Sequence, residues 1–267
     1  MPTPEEKLKS CAVVIVTGAS SGIGRALVKA IGRVAPELPR CNLSRTEPED
    51  FSGRGDRHIP CDLRDPAAIA SASETLRETL AELPEGEILL INNSGAGDYG
   101  PFAEADRERS LGLIDLNARA MVDLTARLVP ELKRRGGCVM NIASTAAFQP
   151  TPYLSVYGAT KAFALHWSLS LAEELRGTGA SALAVCPGPT ESNFFANAGF
   201  RSAPMPKGAG QTAEAVAAES LRAWARGRRL VVTGRRNKAL SFVAGKLPRV
   251  VAARLAGAIL RRFRSRD

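Results

Sequence analysis

The sequence predicts an α/β protein, a doubly wound parallel sheet of about seven strands with helices on both faces. Three observations carry that expectation. Short apolar strand patterns alternate with helical patterns from residue 11 to about residue 235, the order that builds a parallel sheet through crossover helices. The chain has 267 residues, 45% of them hydrophobic, enough to bury a substantial core with no linker to divide it. A glycine-rich turn, Gly18-x-x-x-Gly22-x-Gly24, stands where the first strand meets the first helix.

Taken in order, residues 1–10 are polar and proline-bearing and read as a loose arm. Cys11–Thr17 is a β-branched run, a buried strand. A helix is expected over 23–34, stopped before Pro36, then a weak second strand at Arg40–Ser44. Residues 46–56, rich in Pro, Glu, Asp, Ser and Gly, read as a loop. A third strand over 57–61 precedes a helix opened by Asp65-Pro66 and reaching about residue 83. Glu87–Asn92 is the fourth strand. One long helix is expected over 107–135 with Asn117 in its middle, then a fifth strand over 137–143. A helix over 152–175 bears Tyr157 and Lys161. Ala180–Cys186 is the sixth strand, stopped by Pro187-Gly188-Pro189. Thr212 caps a helix to about residue 226, and 230–233 is the seventh strand. No internal repeat or low-complexity tract interrupts this order, so residues 1–267 read as one domain.

The formal charge of +9 is unevenly placed. Residues 222–267 hold 14 Lys or Arg and one acid, a net of +13, while the other 221 residues hold 22 bases and 26 acids. The basicity belongs to the tail. Five cysteines without a Cys-x-x-Cys pair, each in or beside a strand, read as buried thiols in a reducing compartment. His58 and His166 lack ligand spacing, so no metal site is expected. No transmembrane run and no signal peptide are read; the expected location is the cytoplasm, peripheral to a membrane if the tail lies on one.

The glycine spacing differs from the commoner G-x-G-x-x-G. The physics is shared: the backbone turns tightly and lets a pyrophosphate approach helix N–H groups at the positive end of the dipole. Gly18, Gly22 and Gly24 would make the turn, Ser20 and Ser21 would add hydroxyl donors, and Ile23 opens the helix. Alone, such a turn is also an ordinary strand-to-helix connection. About twenty residues on, where the adenosine ribose is read, stand Ser44 and Arg45 in place of an acid. A guanidinium matches a 2′-phosphate, so NADP(H) is expected over NAD(H). Arg45 could otherwise be only a solvated loop charge, with Glu47 close by.

Further on, Tyr157 and Lys161 place a phenol and an ammonium one helical turn apart, thirteen residues after Ser144 at a strand end. With Thr17-Gly18-Ala19-Ser20-Ser21-Gly22-Ile23-Gly24, Cys61-Asp62-Leu63, Asn92-Asn93-Ser94-Gly95, Asn117, Tyr157-Gly158-Ala159-Thr160-Lys161 and Pro187-Gly188-Pro189-Thr190, the chain resembles the short-chain dehydrogenase/reductase family in its compact, Rossmann-like form. The resemblance spans residues 13–190. It departs at Ser94, where the family usually has Ala, and in the proline-bearing stretch 36–39, which bears on where Arg45 lies.

The resemblance implies a reductase or dehydrogenase acting on a carbonyl/alcohol pair. Tyr157 would be the acid/base, Lys161 would lower its pKa and hold the nicotinamide ribose, and Ser144 would orient the substrate oxygen. Asn117 would hold a water linking Lys161 to solvent. Asp62 and Leu63 would frame the adenine. Asn93, Ser94 and Gly95 would lie along the riboses, and Pro187, Gly188 and Thr190 would fix the nicotinamide. Taken singly, Ser144 could be a strand-end cap, Asn117 could satisfy a kink, and Tyr157 and Lys161 could be an amphipathic pair. A family substrate lid would fall at 190–208. Its Phe194, Phe195, Phe200 and Met205, facing Tyr99, Phe102, Gln149 and Tyr153, suggest an apolar or lipid-like substrate, or simply packing.

The tail over 236–267 contains an amphipathic helix at 248–264, with Val251, Leu255, Ile259 and Phe263 at helical spacing and Arg254, Arg261, Arg262 and Arg264 around them. A subunit interface is the leading reading, consistent with a homo-oligomer (dimer or tetramer). An anionic membrane surface is the second. Nucleic acid ranks last, for lack of a binding motif, and is not expected as a partner.

Overall fold

The computed structural model describes residues 2–51, 53, 55–200 and 210–263. Its elements are α1 (Pro4–Leu8), β1 (Cys11–Thr17), α2 (Gly22–Val34), β2 (Arg40–Ser44), β3 (Arg57–Pro60), α3 (Pro66–Glu82) and β4 (Glu87–Asn92). Then come α4 (Arg107–Ile114), α5 (Ala120–Arg135), β5 (Gly137–Ile142), α6 (Ser155–Glu174), β6 (Ala180–Cys186), β7 (Thr190–Glu191) and α7 (Phe194–Asn197). The chain continues through β8 (Gln211–Thr212), α8 (Ala213–Ala225), β9 (Leu230–Val232), α9 (Arg235–Lys246) and α10 (Arg249–Leu260).

Seven strands form one parallel sheet in the order β3-β2-β1-β4-β5-β6-β9, and β7 pairs with β8 beside it. Alternate strand residues feed opposite faces. Val13 and Ile15 join a core with α3, α5 and α6, while Val14 and Val16 join one with α2 and α8. Both faces are therefore dry, which is why β1 is apolar throughout rather than alternating. The order reverses direction between β1 and β4, and a crevice opens at the carboxyl ends of those strands. In open α/β sheets that crevice is where ligands bind.

Local chemistry fixes the helix ends. Asp65 accepts from the Ala67 N–H at the start of α3, Asp106 from Arg109 at α4, and Thr212 from Ala215 at α8. At the end of α5, Lys133, Arg134 and Arg135 meet the negative end of the dipole, and Gly136 turns with φ of 79°.

Two expectations are corrected. The loose arm contains a helix: Thr3 and Glu6 close a capping box, Leu8 is buried, and Lys7 pairs with Glu87 at 2.6 Å. The single helix over 107–135 is broken by a π-helical turn at Asp115–Arg119, whose cause is Asn117, described below. The cysteines are free; Cys11 is half-buried and the other four are buried. His58 contacts Asn42 within the fold, and His166 is exposed.

Candidate active site

A cleft of about 1170 Å³ runs along the carboxyl ends of β1, β4, β5 and β6. At one end lies the glycine turn. Gly18 and Gly22 have φ of 71° and 55°, which L side chains rarely adopt, and a Cβ on Gly24 would overlap the Gly18 carbonyl and the Asn93 amide. Asn42 and Asn93 hold the turn. Asn42 Oδ1 accepts from Ala19 N–H at 2.9 Å, and Asn93 Nδ2 donates to the carbonyls of Thr17 and Gly18, both at 3.0 Å. Thr17 Oγ1 accepts from the N–H groups of Asn93 and Ser94 at 2.9 and 3.0 Å. The N-cap of α2, Ser21, makes no side-chain cap bond, so the first N–H groups of that helix keep their capacity for an anion. Ser20, Ser21, Gly22 and Ile23 all line the cleft. These features fit a pyrophosphate-bearing dinucleotide.

Ser44 and Arg45 lie where the sequence puts them, on the cleft wall, but differ in availability. Ser44 is buried; its hydroxyl accepts from Asn42 and donates to the Thr46 carbonyl at 2.7 Å. It shapes the loop rather than offering a donor. Arg45 is exposed on the cleft, and among the described residues no hydrogen bond or ion pair engages its guanidinium. Asp62 and Leu63 also line the cleft; Arg64 forks onto Asp62 and holds its carboxyl down at about 2.

The reacting groups converge from β5 and α6. Ser144 follows β5 in extended backbone, its Oγ accepting from Ala146 N–H at 3.1 Å, so it is a cap as well as a site residue. Tyr157 and Lys161 are 9% and 5% exposed. Burial pushes the Tyr157 phenol up to about 12, and a hydrogen bond with Ser144 pulls the other way. Burial lowers the Lys161 ammonium to about 8 while its Nζ donates to the Ile142 carbonyl at 2.8 Å. Desolvation thus outweighs the mutual help that the Tyr/Lys pairing suggested. The phenol is protonated at neutral pH.

Asn117 is central, through its side chain and its kink. Its Oδ1 accepts from Ala96 N–H at 2.9 Å; its Nδ2 donates to the Ala96 carbonyl at 2.9 Å and to Thr160 Oγ1 at 3.1 Å. The amide is thereby committed to the loop after β4 and to α6, and the helix bearing it widens by one π-turn. Its Oδ1 accepts one of the two hydrogen bonds an amide oxygen can take. Behind Lys161 a cavity of about 10 Å³, lined by Thr17, Asn92, Ser94, Asn117 and Lys161 among others, has roughly the room of one water. Among the described residues, Asn92 Oδ1 is buried without a partner. A Cβ on Gly95 would stand 3.2 Å from both Asn117 Oδ1 and Lys161 Nζ, so Gly95 fills the gap between them with backbone.

Pro187, Gly188 and Thr190 line the opposite wall. The Pro187 carbonyl accepts from Thr145 N–H at 2.8 Å, Thr190 Oγ1 donates to the Gly188 carbonyl at 2.9 Å, and Asn237 of α9 packs onto Gly188.

The substrate end differs most from expectation. Gln149, Phe194 and Phe195 line the cleft, Phe194 with its ring 5.1 Å from that of Tyr157. Phe102 does not: it is 66% exposed on a 3-10 turn at Phe102–Glu104. Tyr153 does not either. Its carbonyl accepts from Gly100 N–H, its hydroxyl from Arg261 Nε at 3.0 Å, and its ring lies 6.3 Å from Tyr99. Those partners draw it to the joint with the tail. Tyr99 stacks on Phe200 and donates to the Leu260 carbonyl at 2.5 Å. Met205 and the rest of residues 201–209 lie outside the described residues. In place of Phe102 and Tyr153, α10 and the turn after it supply Ala256, Ile259, Leu260 and Phe263. Sequence reading missed them because the tail's charge and helical spacing carry no sign of which neighbour its apolar stripe meets. Asn42 was missed as well, and Thr17 and Thr160 enter the sequence reading only as members of motifs, because their partners lie on other strands and helices or are backbone groups that side-chain spacing does not reveal.

Comparison with known proteins agrees with this geometry. The sequence pattern of the family described as short chain dehydrogenase matches residues 12–201. A short chain dehydrogenase of Pseudocercospora fijiensis is 32% identical over 191 residues, 68% of this chain and 60% of that protein. The chain thus spans less than two thirds of that relative. A sulfoacetaldehyde reductase of Chromohalobacter salexigens is 34% identical over 192 residues, 68% of this chain and 73% of that one. Among solved structures, a short-chain dehydrogenase from Sphingobium yanoikuyae in complex with NADPH superposes with a TM-score of 0.74 at 29% identity, covering 86% of this chain and 92% of the other. The glycine turn, the Ser-Tyr-Lys group and these matches together place the chain in the short-chain dehydrogenase family.

Proposed function

We propose that the protein is an NADP-dependent short-chain oxidoreductase that acts on the CH–OH group of an apolar or lipid-like secondary alcohol, or reduces the matching carbonyl. The observation that carries the reading is the convergence of the Ser144 hydroxyl, a protonated Tyr157 phenol and the buried Lys161 ammonium on one cleft. NADP(H), when bound, supplies or accepts hydride at C4 of its nicotinamide. Ser144 orients the substrate oxygen. Tyr157 donates its proton to that oxygen as negative charge builds there, and recovers it in the reverse direction. A phenol that stays protonated at neutral pH suits the reductive direction. Lys161 places positive charge behind the phenol, and in the reductive direction the proton that Tyr157 gives up is restored from the Lys161 ammonium, which regains its own from the small polar cavity behind it. Arg45, whose guanidinium makes no hydrogen bond or ion pair among the described residues, is the group for the 2′-phosphate, and the Sphingobium yanoikuyae neighbour was solved with NADPH.

The substrate class is supported by the far end of the cleft, where the apolar side chains of Phe194, Phe195, Phe200, Leu154, Ile259 and Phe263 gather beside Gln149, Asn193 and Asn197. The working unit in this reading is a cytoplasmic homo-oligomer of one dinucleotide-binding domain per chain, with Leu111 and Ile114 of α4 left exposed for a neighbour. The test is NADPH and NADH oxidation across ketones and aldehydes graded by chain length and ring size. Turnover that favours NADPH and longer apolar ketones, and that falls by about 10²-fold or more in Tyr157→Phe, is expected. No turnover in either direction with any carbonyl or alcohol would reject the reading.

A further inference from the structure

The two tail helices are unusual in how little of themselves they bury. Among the described residues, α9 has one buried residue, Ser241, and α10 has one, Ala252. Seven of the thirteen exposed large apolar side chains lie in these two helices. On α9 they are Leu240, Phe242 and Val243, the first two 69% and 67% exposed. On α10 Val251, Leu255 and Ile259 form a stripe at four-residue spacing, with Val250 at 64% exposure beside it. A soluble helix normally turns such a stripe to its own core. Here the core side of α10 is already used: Ala256, Leu260 and Phe263 roof the cleft, Gly257 lies against Pro152, and Arg249 donates to the Phe148 carbonyl at 2.8 Å. Among the described residues the stripe is left exposed, with Ile259 at its cleft end.

Its surroundings say what fits. Arg235, Arg236, Lys238, Lys246, Arg249 and Arg254 are all exposed on the same two helices, and no Asp or Glu occurs between residues 220 and 266. A second copy meeting this face symmetrically would set like charge against like with no carboxylate to answer it. A nucleic acid would take the charges and leave the aliphatic stripe in water. An anionic bilayer surface takes both, phosphate and carboxylate headgroups for the bases and the acyl boundary for the apolar side chains. Ile259 belongs to both environments: it lines the cleft and is 57% exposed. This couples the face to the apolar end of the cleft.

We propose that α9 and α10 dock on an anionic lipid surface, setting the apolar mouth of the cleft against the bilayer from which a lipid-like substrate enters. The docking stands on the helix faces; the substrate route rests on the function proposed above. This reverses the order of the sequence reading, which put a subunit interface first.

The test uses the full chain in vesicle sedimentation, with phosphatidylcholine alone and with phosphatidylcholine mixed with phosphatidylglycerol. Two variants join it: Leu240→Ser/Phe242→Ser/Leu255→Ser, and Arg236→Glu/Lys238→Glu/Arg254→Glu. None of these residues lines the cleft, so turnover of a short water-soluble ketone should be unchanged and reports that each variant is folded. Binding to the mixed vesicles and not the neutral ones is expected, weakened about tenfold or more in each variant and by salt. No preference for anionic vesicles would overturn the proposal. So would vesicle binding that survives both variants. A fall in oligomer mass without vesicle binding would assign the face to a second copy, and salt-sensitive retention on duplex DNA alone would assign it to nucleic acid. Vesicle binding with no turnover on any carbonyl would leave the docking standing and reject the enzymatic reading.

Discussion

Raising the pH past neutrality should switch the site off at Lys161 before it touches Tyr157. Burial holds the Lys161 ammonium at about 8 and the Tyr157 phenol at about 12. Between those values the phenol keeps its proton, so any alkaline loss of reductase activity in that window belongs to the lysine. With a midpoint at about 8, Lys161 is about nine-tenths charged at pH 7 and about one-tenth charged at pH 9. If the ammonium is the active form, kcat/KM for NADPH should fall about tenfold between those pH values, with unit slope. That ratio is the right quantity because it reports the free enzyme. The assay is NADPH oxidation with one soluble ketone over the range, paired with NMR of lysine labelled at Cε, in which the Lys161 resonance is identified by its absence in Lys161→Met. The two midpoints should coincide. A profile flat to about pH 10, or a Lys161 resonance that titrates in the ordinary lysine range, would refute the argument that desolvation dominates this ammonium.

Three further outcomes follow from the geometry. Arg45→Ser should cost NADPH about ten- to a hundredfold in kcat/KM and leave NADH nearly unchanged, since one charge-assisted contact is removed; the ratio of the two cofactors measures it. Gly158→Ala drives a Cβ onto the buried Thr151 side chain, which should destabilise the fold by about 1–3 kcal/mol in urea denaturation, and Thr151→Ala in the same chain should recover most of it. The thiols of Cys11, Cys41, Cys61, Cys138 and Cys186 are raised by burial from 9.0 to about 12, 11, 11, 12 and 12. The unfolded chain therefore releases these protons first. Their contribution to stability, fully present below pH 9, should be lost as pH rises through about 11 to 12, read as a falling urea midpoint.

The parts of this molecule legible in sequence are those fixed by short-range spacing. A strand followed by Gly18, Gly22 and Gly24 can only make a tight turn, and Tyr157 and Lys161 share a helix face whatever surrounds them. The boundaries of β4 and β6 fall where the apolar runs end. What stayed hidden depends on distant partners. The break at Asp115–Arg119 exists because Asn117 binds the backbone of Ala96, twenty-one residues earlier, and an asparagine in a helical pattern says nothing of that. Asn42 supports the glycine turn from the neighbouring strand, a contact set by the register of β1 against β2. The sequence offers Phe102 and Tyr153 as a wall opposite the lid, or simply as packing. Their true places are set by a solvent-facing 3-10 turn and by the tail.

Tyr153 shows how the tail is joined to the chemistry. It is the one described non-glycine residue with positive φ, at 66°, a conformation that costs a bulky side chain on the order of 1 kcal/mol or more. Such strain persists only where the surroundings over-determine it. Here the Tyr153 carbonyl accepts from Gly100 N–H and its hydroxyl from Arg261, while the next helix begins two residues later at Ser155 and delivers Tyr157. The strained residue thus ties three pieces together: the loop after β4, the start of the catalytic helix and the end of α10. Tyr99 repeats the link through the Leu260 carbonyl. A displacement of α10 on docking would therefore be felt at the start of α6, within one turn of the phenol, and not only at the apolar roof. The same joint that completes the substrate wall sets the position of the acid.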